Sequence, residues 1–271
     1  MAENDGGIDE AQDVTQQVDA FRVSVSEGVT REPCAVTVET PVQLDIESVG
    51  GYTLMSTSAD LDALAAGFAF SEGIISGKDD IADLHVQDGP QPSISMRLRT
   101  APHKSVGTER IITTSAGRAG SVDGQSSVDK VGNSLRASGS LLLRVLANMK
   151  TRQSIFEVTG GTHAAALFDQ NGDIVSFAED VGRHNALDKV IGKLLLSGRN
   201  ANGLGVALSG RVSLEMASKA ARAGIEIIAA VSAPTSLAVG LAKESNVTLC
   251  GFVRKDRATV FSHPHRINDL D

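Results

Sequence analysis

Apolar positions along this chain recur with two different periods, and the switches between them mark out the elements. Near the start, "CAVTVET", "VQLDIES" and "YTLMST" are short apolar runs of strand type, with Pro41 between the first two. They predict a β-rich opening. Leu61, Leu64, Ala65 and Phe68 then fall at i, i+3, i+4 and i+7, the single stripe of a helix. Ser58 suits its cap, Asp60 and Asp62 lie near the positive end of its dipole, and Gly73 is a natural stop. "SISMRLR" alternates strictly, with Ile94, Met96 and Leu98 on one face. Over residues 100–139 the periodicity is lost and Gly, Ser and Thr dominate. So long an irregular stretch points to a functional loop or to disorder, and residues 105–126 are expected to be loosely packed.

Regularity returns at Ser140, a candidate N-cap, where Leu142, Val145, Leu146 and Met149 form another helical stripe. "HAAALFDQNGDIVSFAED" is two apolar runs joined at Asn171-Gly172, a strong hairpin signal because both residues tolerate positive φ. A helix follows (Leu187, Val190, Ile191, Leu194), then the strand "LGVALS", a helix ending at Gly224, the strand "IEIIAAVS", a helix from Pro234 and the strand "VTLCGFV". This alternation predicts an α/β, three-layer domain over residues 127–271, with a mostly parallel sheet that begins in an antiparallel hairpin. A smaller β-rich α+β subdomain would occupy residues 21–126. Residues 1–20 are acidic and polar and are expected to form a disordered tail.

Composition narrows this picture. The chain has 271 residues, 41% of them hydrophobic but only 3% aromatic, with no Trp, so its core must be built from Ala, Val, Leu and Ile. A formal net charge of −8 argues against sequence-independent binding to nucleic acid or to an anionic membrane. No apolar run approaches the roughly 18 residues of a membrane span, and the acidic start is unlike a signal peptide. A cytoplasmic protein is expected. Cys34 and Cys250 both lie in apolar strand-like runs. They are expected to be small buried core residues, inert as nucleophiles, in a reducing compartment.

Candidate chemistry gathers at strand ends. "EDVGRHNALDK", residues 179–189, packs an acid pair, Arg183, His184, Asn185, Asp188 and Lys189 between a strand and a helix. The plain alternative is capping by Asn185 and a solvated helix start. Against it, Arg and His in such a turn are costly to bury without a ligand or partner. "SGRVSLE" places Ser209, Gly210 and Arg211 at the next strand-to-helix turn, and "SAPTSLA" places Ser232 and Thr235 at the one after. Capping explains either alone. Two such turns in succession line one crevice of an open α/β sheet and suit the phosphates of a diphosphate or nucleotide. His163 stands where the hairpin starts, a position more often structural than functional. Six histidines without ligand-like spacing predict no metal site.

These residues carry a resemblance. "TGGTHAAALFDQNGDIVSFAEDVGRHNALDKVIG", "SGRVSLEMASKAARAGIEIIAAVSAPTSLAVGLA" and "LCGFVRKDRATVFSHPHRI", with "VETPVQLDI" and "LMSTSADLDALAAGFAFSEGII" before them, resemble the formate dehydrogenase accessory sulfurtransferase family, FdhD. The likeness spans about residues 34–266. It implies a cytidine deaminase-like α/β fold and a homodimer. It also implies a role in which persulfide sulfur from a cysteine desulfurase passes to the bis guanine-dinucleotide molybdenum cofactor destined for apo formate dehydrogenase. The family's cofactor stretch falls on Phe252, Val253, Arg254, Lys255, Asp256 and Arg257, and a GDP-like nucleotide is a possible ligand.

Many members of that family carry Gly-Arg-x-Gly-Cys-Gly-x-Cys-Gly in a mobile loop. Here "GRAGSVDG", residues 117–124, is one residue short. The first Cys position falls nearest Ser121 and the second on Asp123, while an ungapped register puts the pair on Ala116 and Ala119. In either register the loop has no thiol, and a hydroxyl or carboxylate cannot carry a persulfide. Two expectations follow. One is a family member in formate dehydrogenase maturation working by an altered route, with Ser121 and Asp123 at the catalytic positions. The other is a non-catalytic chaperone for the guanine-dinucleotide cofactor or a related nucleotide.

Overall fold

The structure, a computed structural model, describes residues 14–103, 110–112 and 130–268. The chain opens with β1 (Thr15–Ser24) and β2 (Gly28–Thr37), an antiparallel ribbon that forms a two-stranded sheet of its own. Residues 1–13 of the expected tail lie outside the described residues, and Val14 is buried, its carbonyl accepting from Val38 N–H. Residues 15–20 belong to a strand because each finds a ladder partner in β2, from Thr37 to Glu32.

A five-stranded sheet follows, in the order β5-β6-β3-β4-β7. Its strands are β3 (Thr40–Ile46), β4 (Gly50–Ser56), β5 (Ile81–Gln87), β6 (Ser93–Leu98) and β7 (Arg110–Ile112). Alternation decides its inner face: Val42, Leu44, Ile46, Ile94 and Met96 are buried, with Leu98 partly so. Helix α1 (Leu61–Ser71) covers that face with Leu61, Leu64 and Phe68. Its N-cap is Asp60 in a left-handed conformation with no side-chain cap bond, not Ser58. Strand β5 was not anticipated, because its polar "IADLHVQ" is only half-buried.

The second sheet has six strands, ordered β13-β12-β11-β10-β8-β9. They are β8 (His163–Phe168), β9 (Ile174–Asp180), β10 (Gly205–Leu208), β11 (Ile227–Ala230), β12 (Thr248–Arg254) and β13 (Arg257–Ser262). Only β10-β11 and β11-β12 are parallel, so the sheet is mixed rather than mostly parallel. The added β13 accounts for part of the difference; its alternating "RATVFS" follows β12 through a tight turn.

The remaining helices are α2 (Gly139–Thr151), α3 (Ser154–Thr159), α4 (Arg183–Leu196), α5 (Leu214–Arg222) and α6 (Ser236–Glu244). Helices α4, α5 and α6 pack on the sheet face carrying Leu167, Val206 and Ile228. Helix α2 packs on the opposite face, over Ala166, Ala207 and Ile227. Burial on both faces explains why β10 and β11 are unbroken apolar runs. Leu142, Val145, Leu146 and Met149 of α2 are all buried, each worth roughly 1.5–3 kcal/mol. Its cap is Ser138, which accepts from Leu141 N–H, rather than Ser140.

The two sheets are joined where α1 crosses α4. A Cβ added at Gly67 would lie 1.8 Å from the carbonyl oxygen of Asp188, and one at Gly192 would lie 1.8 Å from that of Ala63. Two facing glycines therefore set how closely the helix backbones approach.

Candidate functional site

Strand direction brings the candidate residues to one edge of the six-stranded sheet. His163, first in β8, pairs with Asp180, last in β9. β10 is antiparallel to β8, and β11 and β12 run parallel to β10. The carboxyl ends of β9, β10, β11 and β12 thus share an edge with the start of β8. Four strand spacings of about 4.8 Å make that edge ~19 Å long.

The run 179–189 divides sharply in role. Glu179 accepts hydrogen bonds from Ile155 N–H and Phe156 N–H, both at 3.0 Å, and from Thr162 Oγ1 at 2.7 Å, which anchors the start of α3. Asp180 Oδ2 accepts from Ser56 Oγ (2.6 Å), Thr57 N–H (3.1 Å), Thr57 Oγ1 (3.0 Å) and Lys189 Nζ (2.6 Å). Its Oδ1 accepts from Gly182 N–H (2.8 Å) and Asn185 Nδ2 (2.9 Å). Lys189, wholly buried, spends its other donors on Thr57 Oγ1 and O. Asn185 is not the helix cap; it also donates to Met55 O at 2.7 Å. Asp188 accepts from Ser71 Oγ and pairs with Lys219, and its burial pushes its carboxyl pKa up despite that cation. Asp180, Asn185 and Lys189 thus tie this side of the molecule to the end of β4, and Asp188 ties it to α1.

Arg183 and His184 are different. Helix α4 begins at Gly182, which has no side chain to cap it, so its first N–H groups are left for another acceptor. Arg183 Nε and His184 Nε2 are buried without a hydrogen-bond partner. His184 Nε2 lies 3.1 Å from Glu215 Oε2 but off the angle of a hydrogen bond. Burial, then Lys219, Arg183 and His163, push the His184 pKa down to about 3, so the ring is neutral at pH 7. Burial and Arg211 lower Arg183, while Glu215 opposes them. His163 is lowered by burial and by Arg183 and Arg211. Its Nδ1 lies 3.4 Å from Ser209 Oγ, which accepts from Ala164 N–H at 2.9 Å. Gly210 fits tightly beside this ring: a Cβ there would lie 3.2 Å from His163 Nδ1 and 3.7 Å from Arg183 Cβ. Two arginines and two histidines thus cluster around one strand-to-helix turn, a ready place for an anion.

The neighbouring turn lies alongside. Val212 bridges Pro234, and Thr235 N–H donates to Val212 O at 2.9 Å. Its own hydroxyls are committed differently than expected: Thr235 caps α6, accepting from Ala238 N–H, and Ser213 caps α5. The uncapped helix start at this edge is that of α4. Ser232 O accepts from Phe252 N–H, which ties this turn to β12. Of the FVRKDR stretch, Val253 is buried, while Arg254, Lys255, Asp256 and Arg257 are exposed around the β12–β13 turn. Phe252 adopts φ 53° and packs on Phe261 at 6.4 Å, with the Arg254 guanidinium 5.8 Å above its ring.

A cavity of about 810 Å³ lies at the opposite end of the sheet, lined by Lys130, Asn133, Arg199, Asn202, Arg222 and Glu226 among others. Ser121 and Asp123 fall outside the described residues, as does most of 105–126. The thiols separate: Cys250 is buried, with its pKa pushed up to about 12 by desolvation, but Cys34 is exposed. The expectation of a buried Cys34 fails because β2 lies in a separate two-stranded sheet, with no layer packed over that position. Glu215 and Lys219, which flank the cluster from α5, were not singled out in the sequence. Their i, i+4 spacing just after Arg211 was the available signal. Among the described residues no group of three or more His, Cys, Asp and Glu is placed to hold a metal, and no helix is long and apolar enough to cross a membrane.

Comparison with known proteins agrees with the sequence resemblance. Residues 37–268 match the model of the FdhD/NarQ family. The chain is 40% identical over 244 residues to the sulfur carrier protein FdhD of Bordetella parapertussis, covering 86% of this chain and 87% of that one. It is 38% identical over 253 residues to that of Picrophilus torridus, covering 86% and 91%. A crystal structure from Desulfotalea psychrophila, described as a formate dehydrogenase accessory protein, superimposes with a TM-score of 0.76 at 27% identity, over 94% of this chain and 99% of that one.

Proposed function

Because the chain belongs to the FdhD/NarQ family, we propose that it serves formate dehydrogenase maturation in the cytoplasm by holding the guanine-dinucleotide molybdenum cofactor along the sheet edge. The observation that carries this reading is the pair of buried, unpartnered nitrogens, Arg183 Nε and His184 Nε2, beside Arg211. Leaving the Arg183 N–H unsatisfied costs about 1–3 kcal/mol, and an anion removes that cost. A diphosphate over Gly182, Arg183 and Arg211 fits the uncapped start of α4. His163 and Ser209 flank it, Ser232 continues the edge, and Phe252–Arg257 would meet the far end of a long ligand. Helices on both sheet faces support the cytidine deaminase-like reading of residues 127–271.

Sulfur handling is a separate matter. A relay needs an accessible thiolate: the thiolate takes the terminal sulfur of the desulfurase persulfide, and the desulfurase cysteine leaves as thiolate. Ser121 and Asp123 cannot do this. Cys250 is inert where it lies, but the exposure of Cys34 keeps a relocated carrier in play. The chaperone reading expects no labile sulfur on the protein after incubation with a cysteine desulfurase and labelled cysteine. Sulfur that loads, and is abolished by Cys34→Ser, makes the chain a sulfur carrier with a moved thiol.

The binding half is tested by titrating GDP at low salt. Arg211→Ala should weaken binding by about 1.5–3 kcal/mol, the range for a hydrogen bond to a charged group. GDP that fails to bind at millimolar concentration would sink the reading.

A further inference from the structure

The open turn at the start of α4 carries an acid to which the cofactor reading gives no task. Glu215, in the first turn of α5, places Oε2 3.1 Å from His184 Nε2 and acts on the Arg183 guanidinium in opposition to Arg211. The other charges around the turn are balanced. Lys219, one helical turn beyond Glu215, pairs with Asp188, and Asp180, which also acts on His163, pairs with Lys189. His184 is neutral at pH 7, and burial and the two arginines hold His163 below its ordinary value. The turn therefore sets two cations, Arg183 and Arg211, against one carboxylate. An acid beside two arginines weakens their hold on every anion, and most on the anion that carries most charge.

That cost is unequal among phosphates. A terminal phosphate ester loses its second proton near pH ~6 and is doubly charged above it. A phosphate inside a dinucleotide is bridged on one side and esterified on the other, so it keeps a single charge. In the same place the doubly charged group feels the carboxylate about twice as strongly. Resting on the cofactor reading above, we propose that Glu215 is a specificity-determining residue. It biases the turn toward a diphosphate esterified at both ends, as in a dinucleotide, and against the doubly charged terminal phosphate of a free nucleotide. The two arginines act on both ligands and set affinity; Glu215 sets the difference between them. Its side chain is 32% exposed, so solvent and salt damp the effect, which is largest at low salt. A chain that holds a dinucleotide thereby discriminates against mononucleotides that share its base and its diphosphate.

The test is calorimetric titration of the full chain at low salt with GDP and with its β-methyl ester. The two ligands differ by a methyl group and, above pH ~6, by one charge. At about pH 8, Glu215→Gln should tighten GDP about two- to five-fold and the methyl ester by no more than about two-fold. At about pH 5.5, where the terminal phosphate of GDP is mostly singly charged, the two gains should converge. Glu215→Asp, which keeps the charge, should keep the wild-type ratio of the two affinities. Arg211→Ala should weaken both ligands and so reports where they bind. If neither ligand binds, or if Arg211→Ala changes neither, the cofactor reading falls and this inference falls with it. If both bind through Arg211 but Glu215→Gln shifts them equally at about pH 8, the cofactor reading stands and the role of Glu215 is overturned.

Discussion

Two charge centres lie on either side of the first turn of α4, three residues apart in sequence, and the fold treats them oppositely. At Asp180 every acceptor position is taken and its partner Lys189 has all three protons engaged. At Arg183 and His184 the buried nitrogens are left open, on a helix start that has no capping side chain. A polar group buried with all its partners holds a structure together; one buried without them has bonding capacity left for a water, an ion or a ligand. Both kinds occur in one eleven-residue run, so polar density alone does not distinguish them.

The contrast can be broken most forcefully at the saturated centre. Asp180→Ala leaves Lys189 charged, buried and unpaired, and should cost about 3–5 kcal/mol in urea unfolding. Adding Lys189→Met should recover most of that loss. If Asp180→Ala unfolds like the wild type, the centre does not hold the sheets together.

At the open centre the expected effect is on binding instead. Arg183→Ala should weaken GDP binding by about 1.5–3 kcal/mol while leaving the urea midpoint unchanged or slightly raised. A large loss of stability would show that Arg183 is structural after all.

Protonation sharpens the same distinction. His184 has its pKa depressed to about 3 in the folded chain against 6.5 as its ordinary value. Below pH 6.5 the unfolded chain takes up a proton that the folded chain refuses. The stability is therefore fully present above 6.5 and is lost as the pH falls toward 3. His184→Gln should flatten the wild-type slope of unfolding free energy between pH 6.5 and 4. An identical slope in the variant would mean that His184 titrates freely.

The smallest effect is expected at Glu215, which opposes the cations of the cluster. Glu215→Gln should strengthen GDP binding by about 0.5–1 kcal/mol at low salt, with the gain fading as salt rises.

Periodicity alone located most of the second sheet and its helices, because strands and helices buried on a shared core must repeat at 2 and 3.6 residues. Leu142, Val145, Leu146 and Met149 are buried as the stripe required, and the Asn171-Gly172 turn joins β8 to β9. The stretch 179–189 was legible as a dense polar turn with Arg183 and His184 in it. What each polar residue does was not legible. Asp180 is saturated by Ser56 and Thr57, more than a hundred residues earlier in the chain. Cys34 is exposed because nothing packs over β2 there, although its local run reads as a core strand. Nothing in the sequence marks Gly67 and Gly192 as a pair, yet they face each other where α1 crosses α4. Sequence determines periodicity and local turn chemistry, since those depend on neighbours within a few residues. Burial, saturation of polar groups and the approach of backbones depend on partners brought together only by the fold, so the tertiary structure alone decided them.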